Sequence, residues 1–320
     1  MKRIAILGEI GSGNLGDDFG YVLLRDALTR AFEELDVLVD IRPMTPNLFG
    51  LLDSYHWDAV LTGCGTLLDL GSGPYVRMLL AAAQRCPVAI AGSGLADPRH
   101  VAPTASGRDA LHELLAQAKH AWTRVAPEGC DPATAAPDPA WLYGWHGDSN
   151  PRNGVGINVG YAAFSTLRLD PSFLITLDAF RSAAPFPTAL IAAWHADSLW
   201  LDRLCRPGEP IYTIDGTRRS MLVLSGFRAV IATRIHLAVM AACHGAFPIL
   251  PDYTTKVRDV FAGVASPHTI VNVNCGPRGL IDAVSASPVA PSGGAAIAAA
   301  STEATVRVRA VAEALAGAWS

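Results

Sequence analysis

Short apolar runs alternate along the chain with stretches in which apolar residues recur every three or four positions. The first kind of pattern predicts buried strands and the second predicts helices with one buried face. Residues 2–8 read as an opening strand. A helix follows with Phe19, Val22, Leu23, Ala27 and Ala31 on its buried face, then a strand over 35–41 centred on 37–39. Residues 56–69 read as a strand entering a glycine-rich turn. Helices are expected over 75–85 and 105–119, with strands from 88 and over 120–124. A second series opens with a strand at 154–160. It continues with helices over 172–183, 198–204 and 217–224, interleaved with strands from 188 and over 211–214 and 227–232. A helix at about 237–244, a strand at 247–250, a strand at 269–273 and a short helix at 279–284 complete it. Strands alternating with helices imply parallel sheets in an α/β fold.

The break in this series is the polar, glycine-rich stretch 144–153. It divides the chain into lobes 1–148 and 149–285. Residues 286–300 are Ala, Ser, Pro and Gly, and read as a low-complexity linker before a last helix in 301–320. A chain of 320 residues, half of them hydrophobic and 17% charged, is a well-buried globular protein. Its net charge of −4 gives no reason to expect nucleic acid as a partner. The N-terminal apolar run is too short for a signal peptide, and no run is long enough for an integral membrane segment. The six cysteines are scattered without a Cys-x-x-Cys, which fits reduced thiols and a cytoplasmic location.

The stretch with the most chemistry runs from Ala232 to Pro248 and on to Tyr253-Thr-Thr-Lys256. Arg234 and His236 stand where the 227–232 strand exits into a small-residue helix capped by Gly245. Lys256 follows the next strand. Ligands of open α/β sheets bind at the carboxyl ends of strands, so these three basic groups share one mouth. They suit a small, highly charged anion such as one carrying a phosphate and a carboxylate. Arg258 and Arg219 read as surface charges, and His244 as a group near a helix C-terminus.

The first turn carries Gly11-x-Gly13-x-x-Gly16, a match to the dinucleotide fingerprint, with Asp40 near the end of the second expected strand. Asp17 and Asp18 oppose that reading. Carboxylates in the first turn of a helix would occupy its N–H groups and repel a pyrophosphate. Two readings stand: Asn14 and Asp17 cap the helix, or one of Asn14, Asp17 and Asp18 faces the cleft and hydrogen-bonds a sugar hydroxyl.

Together these motifs resemble the polysaccharide pyruvyl transferase family. The resemblance rests on Arg234-x-His236 with its small-residue helix, Gly245-x-Pro and Tyr253-x-x-Lys256. It also rests on Gly11-x-x-Asn14-x-Gly16-Asp17-Asp18, on Gly63-Cys64-Gly65-Thr66-Leu, on Gly92-x-Gly94 and on Pro137-Asp-Pro-Ala-Trp141. It spans residues 4–261. Cys64 stands where the family has the middle glycine of a Gly-Gly-Gly turn.

The resemblance implies two Rossmann-like lobes facing a cleft, GT-B-like, with parallel sheets; by analogy with such folds, the C-terminal helix crosses back to the first lobe. It implies transfer of the pyruvyl group of phosphoenolpyruvate onto two hydroxyls of a sugar, glycan or lipid-linked saccharide. The products are a cyclic ketal and phosphate. The first lobe is then the acceptor side and the second the phosphoenolpyruvate side. Arg234 and His236 become the catalytic pair, with His236 as general acid or general base. Lys256, Asn14, Asp17, Asp18, Gly63, Gly65, Thr66 and His195 become substrate-binding residues. No cofactor is implied, and no metal-ligand spacing is evident. The rival readings are a GT-B-type glycosyltransferase using a nucleotide sugar, a nicotinamide-dependent oxidoreductase, and a non-catalytic sugar- or anion-binding member of the family.

Overall fold

The computed structural model describes residues 1–11, 14–45, 56–63, 65, 67–70, 74–147, 152–266, 269–288 and 293–320. It divides into two compact units. The first comprises Met1–Ser12, Asp17–Leu142 and Ser301–Ser320, and the second Gly13–Gly16 and Tyr143–Ala300. The division falls at Leu142/Tyr143, six residues before the boundary expected from the polar stretch.

The first unit is a five-stranded parallel sheet. Its strands are β1 (Lys2–Leu7), β2 (Val39–Met44), β3 (Ala59–Thr62), β4 (Val88–Ser93) and β5 (His120–Thr123), in the order β2-β1-β3-β4-β5. Side chains alternate across a strand, and both faces of this sheet are covered. Ile4, Ile6, Leu61 and Ala89 pack with Leu24, Leu28 and Phe32 of α1 (Leu15–Glu33). The same cluster takes Val308, Val311 and Leu315 of the long C-terminal helix α11 (Gly294–Trp319). On the opposite face, Ala5, Leu7, Val60 and Ile90 meet α2 (Pro74–Ala83) and α3 (Ala105–Gln117) through Val76, Leu79, Leu111 and Leu114. The C-terminal helix therefore does return to the first lobe.

Three expectations change here. The buried face of α1 is Tyr21, Leu24, Leu28, Ala31 and Phe32, while Val22 is exposed. The bulkier stripe at four-residue spacing wins the sheet face over the neighbouring one. Strand β2 starts at Val39 rather than at 35. The amides of Leu35 and Val37 still bond back to the Phe32 carbonyl, and Asp36 turns the chain at φ 57°. The expected linker is shorter than 286–300, because α11 already begins at Gly294. Its Ala-rich start is the best helix-forming composition available.

The second unit holds a six-stranded parallel sheet: β6 (Gly154–Asn158), β7 (Thr188–Ala192), β8 (Ile211–Thr213), β9 (Phe227–Ala232), β10 (Phe247–Pro251) and β11 (Ile270–Val271). The order is β11-β10-β9-β6-β7-β8. Its connecting helices are α4 (Tyr161–Ser165), α5 (Ser172–Ala183), α6 (Ser198–Leu201), α7 (Arg218–Met221), α8 (Ile235–Cys243), α9 (Thr255–Val260) and α10 (Gly276–Ala286). Val155, Ile157, Leu190, Ala229 and Ile231 pack on Phe173, Leu177 and Phe180 of α5 and on Leu280 and Val284 of α10. Helix α8 is buried from Leu237 through Cys243, as a helix apolar on every side must be. It stops at Gly245, whose φ of 81° admits the closing bonds from Gly245 and Ala246 to Ala242 and Ala241.

Each sheet has one point at which its connections diverge, and such a point opens a crevice at the strands' carboxyl ends. In the first sheet this lies between β1 and β3. In the second, numbered from its own first strand, the order is the dinucleotide-fold 3-2-1-4-5-6, and the divergence lies between β6 and β9. Five of the six cysteines are described, and Cys86, Cys130, Cys205, Cys243 and Cys275 are all free thiols. Among the described residues, no helix is long and apolar enough to cross a membrane.

Candidate functional site

Arg234 stands at the β6–β9 divergence, as the N-cap residue of α8. Its backbone amide donates to Asn158 Oδ1 at 3.1 Å, tying the exit of β9 to the exit of β6. Its guanidinium is held on three sides. Nε donates to both carboxylate oxygens of Asp197, at 2.8 and 2.7 Å, and Nη2 donates to Asp197 Oδ1 at 2.6 Å. The Trp194 ring lies 5.0 Å from Cζ, within cation–π range. Nη1 donates to Asn14 Oδ1 at 3.0 Å. Asn14 belongs to the 13–16 segment that groups with the second unit.

Asp197 is fully buried and also accepts from the amides of Tyr161 (2.9 Å) and Ala193 (3.1 Å). A buried carboxylate needs this many donors to offset its lost hydration. Close by, Thr233 Oγ1 accepts from the Gly160 amide at 2.6 Å, and the Tyr253 hydroxyl donates to the Thr233 carbonyl. Burial raises the Tyr253 phenol well above its ordinary value, so it remains a donor. Gly160 is there because a Cβ would fall 2.6 Å from Arg234 Cγ.

His236 is the second residue of α8 and lies inside the helix rather than ahead of it, since α8 begins at Ile235. Its ring abuts Gly16, where a Cβ would come within 2.2 Å of Nδ1. Lys256 is the second residue of α9, half-buried, one strand further along the same carboxyl edge. His195 begins the turn after β7 and is exposed, edge-on to Trp194 at 5.2 Å. The structure thus brings Arg234, His236, Lys256 and His195 to one sheet edge, with Asn14 bonded to the first. Arg258 is an exposed partner of Asp252, and Arg219 is exposed.

The first unit carries the remaining expected residues at the β1–β3 divergence. Gly63 donates to the Leu7 carbonyl at 2.7 Å, and a Cβ on it would meet Ile6 at 2.9 Å. Gly65 has a φ of 115°, and Asp17 Oδ1 lies 3.1 Å from where its Cβ would be. The Gly65 carbonyl accepts from Gly94 at 2.9 Å and from Arg124 Nη2. Arg124 in turn pairs with Asp138 at 3.2 Å, with both side chains buried. Glu9 accepts a bond from the Tyr75 hydroxyl. Thr66 and Cys64 lie outside the described residues.

The capping reading of the first turn holds for Asn14. Asn14 Oδ1 accepts from the Gly16 amide at 3.4 Å, a long capping contact, and it also meets Arg234. Asp18 Oδ1 accepts from the Gly11 amide at 2.5 Å and closes its own loop. The dinucleotide reading fails on Asp40. It is the second residue of β2, at the amino end, and is paired with Arg42, whereas a ribose-binding acid belongs at the carboxyl end.

Asp197, Asn158, Thr233, Trp194, Arg124 and Asp138 were not among the expected site residues. Asn158 and Thr233 carried a signal, each being a polar residue that ends an apolar run. Among the described residues, no group of three or more His, Cys, Asp or Glu could hold a metal ion.

No family model and no curated protein matches the chain. Solved structures do. One is the Staphylococcus aureus MnaA–UDP co-structure, with a TM-score of 0.55, 11% identity, and coverage of 89% of this chain and 87% of that one. Another is a Methanocaldococcus jannaschii UDP-GlcNAc 2-epimerase in complex with UDP-GlcNAc and UDP, with a TM-score of 0.53, 11% identity and coverage of 93% and 98%. A third is a glycosyltransferase involved in avilamycin A biosynthesis, with a TM-score of 0.50, 13% identity and coverage of 99% of both chains. At such identities the likeness is one of fold: two parallel-sheet α/β units of the GT-B type.

Proposed function

We propose that this chain is a sugar-modifying transferase that binds a phosphorylated donor at the carboxyl edge of its second sheet, and that the donor is phosphoenolpyruvate. One observation carries the finer reading. Two motifs of the pyruvyl transferase resemblance, 220 residues apart, meet in space. Asn14 bonds to Arg234, and Gly16 packs against His236. Chance similarity in two short motifs gives no reason for them to converge.

The chemistry fits the groups present. Arg234 and Lys256 match the phosphate and carboxylate of the donor, one as a fork and one as a point charge. His236 stands beside them as the group that exchanges a proton. The overall reaction joins the central carbon of the donor to two sugar oxygens and breaks its bond to the phosphate oxygen. Of the two hydroxyl protons, one ends on the methylene carbon, making it a methyl, and the other on the released phosphate. Asp17, beside the Gly65 turn, is the acceptor-side group for sugar hydroxyls.

A nucleotide-sugar donor is the second reading. Its support is the fold likeness to proteins crystallised with UDP or UDP-GlcNAc and the dinucleotide-fold strand order of the second sheet. The same edge would then take a pyrophosphate. Incubating the protein with a panel of glycosides and either phosphoenolpyruvate or UDP-sugars separates the two. Acceptor-dependent phosphate release with a new methyl resonance in the product supports pyruvyl transfer. UDP release with no reaction of phosphoenolpyruvate supports the second reading.

A further inference from the structure

Arginine presents two forks to planar anions: a side edge made of Nε and Nη2, and an end edge made of Nη1 and Nη2. In Arg234 the side edge is taken by Asp197 through both atoms. One face is covered by Trp194. The end edge carries a single protein acceptor among the described residues, Asn14 Oδ1 on Nη1.

Asp197 is itself immobile. It is fully buried, and the amides of Tyr161 and Ala193 hold it to the exits of β6 and β7. The Asn158 amide group also reaches it at 3.4 Å, while bonding the Ile191 carbonyl at 2.9 Å. Four strand exits therefore fix one guanidinium plane: β6 and β7 through Asp197, β9 through the Arg234 backbone, and β10 through Tyr253 on the Thr233 carbonyl.

We propose that Asp197 is the positioning residue of the donor site: by occupying the side edge of Arg234, it leaves the end edge as the fork on which a two-oxygen anionic group of the donor, carboxylate or phosphoryl, docks in exchange for Asn14 Oδ1. The inference rests on the donor reading above and adds its geometry. It also assigns Arg234 a specific task. With its charge offset by Asp197, the arginine acts mainly through the direction of its N–H groups. Lysine cannot substitute for it. A lysine at 234 satisfies Asp197 and has no second fork to offer.

Calorimetric titration of the full chain with phosphoenolpyruvate, UDP and inorganic phosphate tests this in five proteins: wild type, Asp197→Asn, Arg234→Ala, the double variant, and Arg234→Lys. The expected result is at least a tenfold loss of affinity in Asp197→Asn for whichever probe the wild type binds. No further loss is expected when Asp197→Asn is added to Arg234→Ala, because the aspartate acts through the arginine. A merely structural role would give additive losses. Arg234→Lys is expected to bind as weakly as Arg234→Ala despite keeping its charge, and this arm stands even where Asp197→Asn fails to fold. Additive effects, or full affinity in Arg234→Lys, overturn the inference. Wild type that binds none of the three probes overturns the donor reading itself.

Discussion

Gly16 and His236 are in contact so close that no side chain fits between them: a Cβ on Gly16 would lie 2.2 Å from His236 Nδ1 and 3.2 Å from its Cβ. A glycine inside the first turns of α1 is otherwise a liability. It costs about 1 kcal/mol against alanine in a helix. The closeness to the histidine accounts for its presence.

Gly16→Ala is therefore expected to be destabilising, although the same change in a free helix stabilises. The clash involves the Cβ as well as the ring, so the histidine has to shift as a whole, at about 1–3 kcal/mol. Activity should fall further than stability. Thermal unfolding and turnover of the variant check this, and an unchanged or raised melting temperature with full turnover contradicts it.

The first unit offers a sharper stability test. Arg124 and Asp138 form a buried pair at 3.2 Å, and Arg124 also holds the Gly65 carbonyl. Removing one partner strands the other's charge away from water. Asp138→Asn is expected to cost about 3–5 kcal/mol in urea unfolding. Replacing both by apolar residues of similar volume should cost far less than Asp138→Asn alone. Equal costs would mean that the pair is not what stabilises the turn.

Acid stability should report on His244. It is buried at the end of α8, its ring bonded to the Tyr143 hydroxyl at 2.8 Å. Burial, with His146 and Arg152 nearby, lowers its pKa from 6.5 to about 4. The unfolded chain therefore binds this proton more readily than the folded one between those values. Stability is full above pH 6.5 and is lost progressively as the pH falls toward 4, by roughly 3 kcal/mol in all. His120, lowered by burial and by Arg307, acts in the same direction. His244→Gln should flatten the profile over that window. A wild-type profile that is flat from pH 7 to 4 contradicts the assignment.

Much of this fold was legible because parallel sheets covered on both faces leave unbroken apolar runs. The β9–α8–β10 stretch was read nearly to the residue, since an apolar run, a charged turn and a capping glycine follow in order. Strand β2 was misread because the end of α1 unwinds through Asp36, and apolar Val37 sits in that turn instead of the sheet. The face of α1 was misread because two apolar stripes lie side by side, and only the sheet selects between them. The site was legible where its groups share one local motif, as Arg234 and His236 do. Asp197 and Asp138 were given no site role, because their partners are set by strand order. Nothing local says that β6 lies between β7 and β9. Asn14 was found by its motif, but its bond to Arg234 crosses 220 positions and is a product of the fold.

The central claim is that the basic edge of the second sheet binds a phosphorylated donor through Arg234. Thermal unfolding with phosphoenolpyruvate, UDP-GlcNAc or NADH, for wild type and Arg234→Ala, tests it most directly. A ligand at a hundred times its dissociation constant adds about 2.7 kcal/mol to the folded state. The expected result is stabilisation by phosphoenolpyruvate that disappears in Arg234→Ala, with no response to NADH. Stabilisation by UDP-GlcNAc alone would keep the edge and change the donor. A response that survives Arg234→Ala unaltered, or a response to NADH only, would contradict the account.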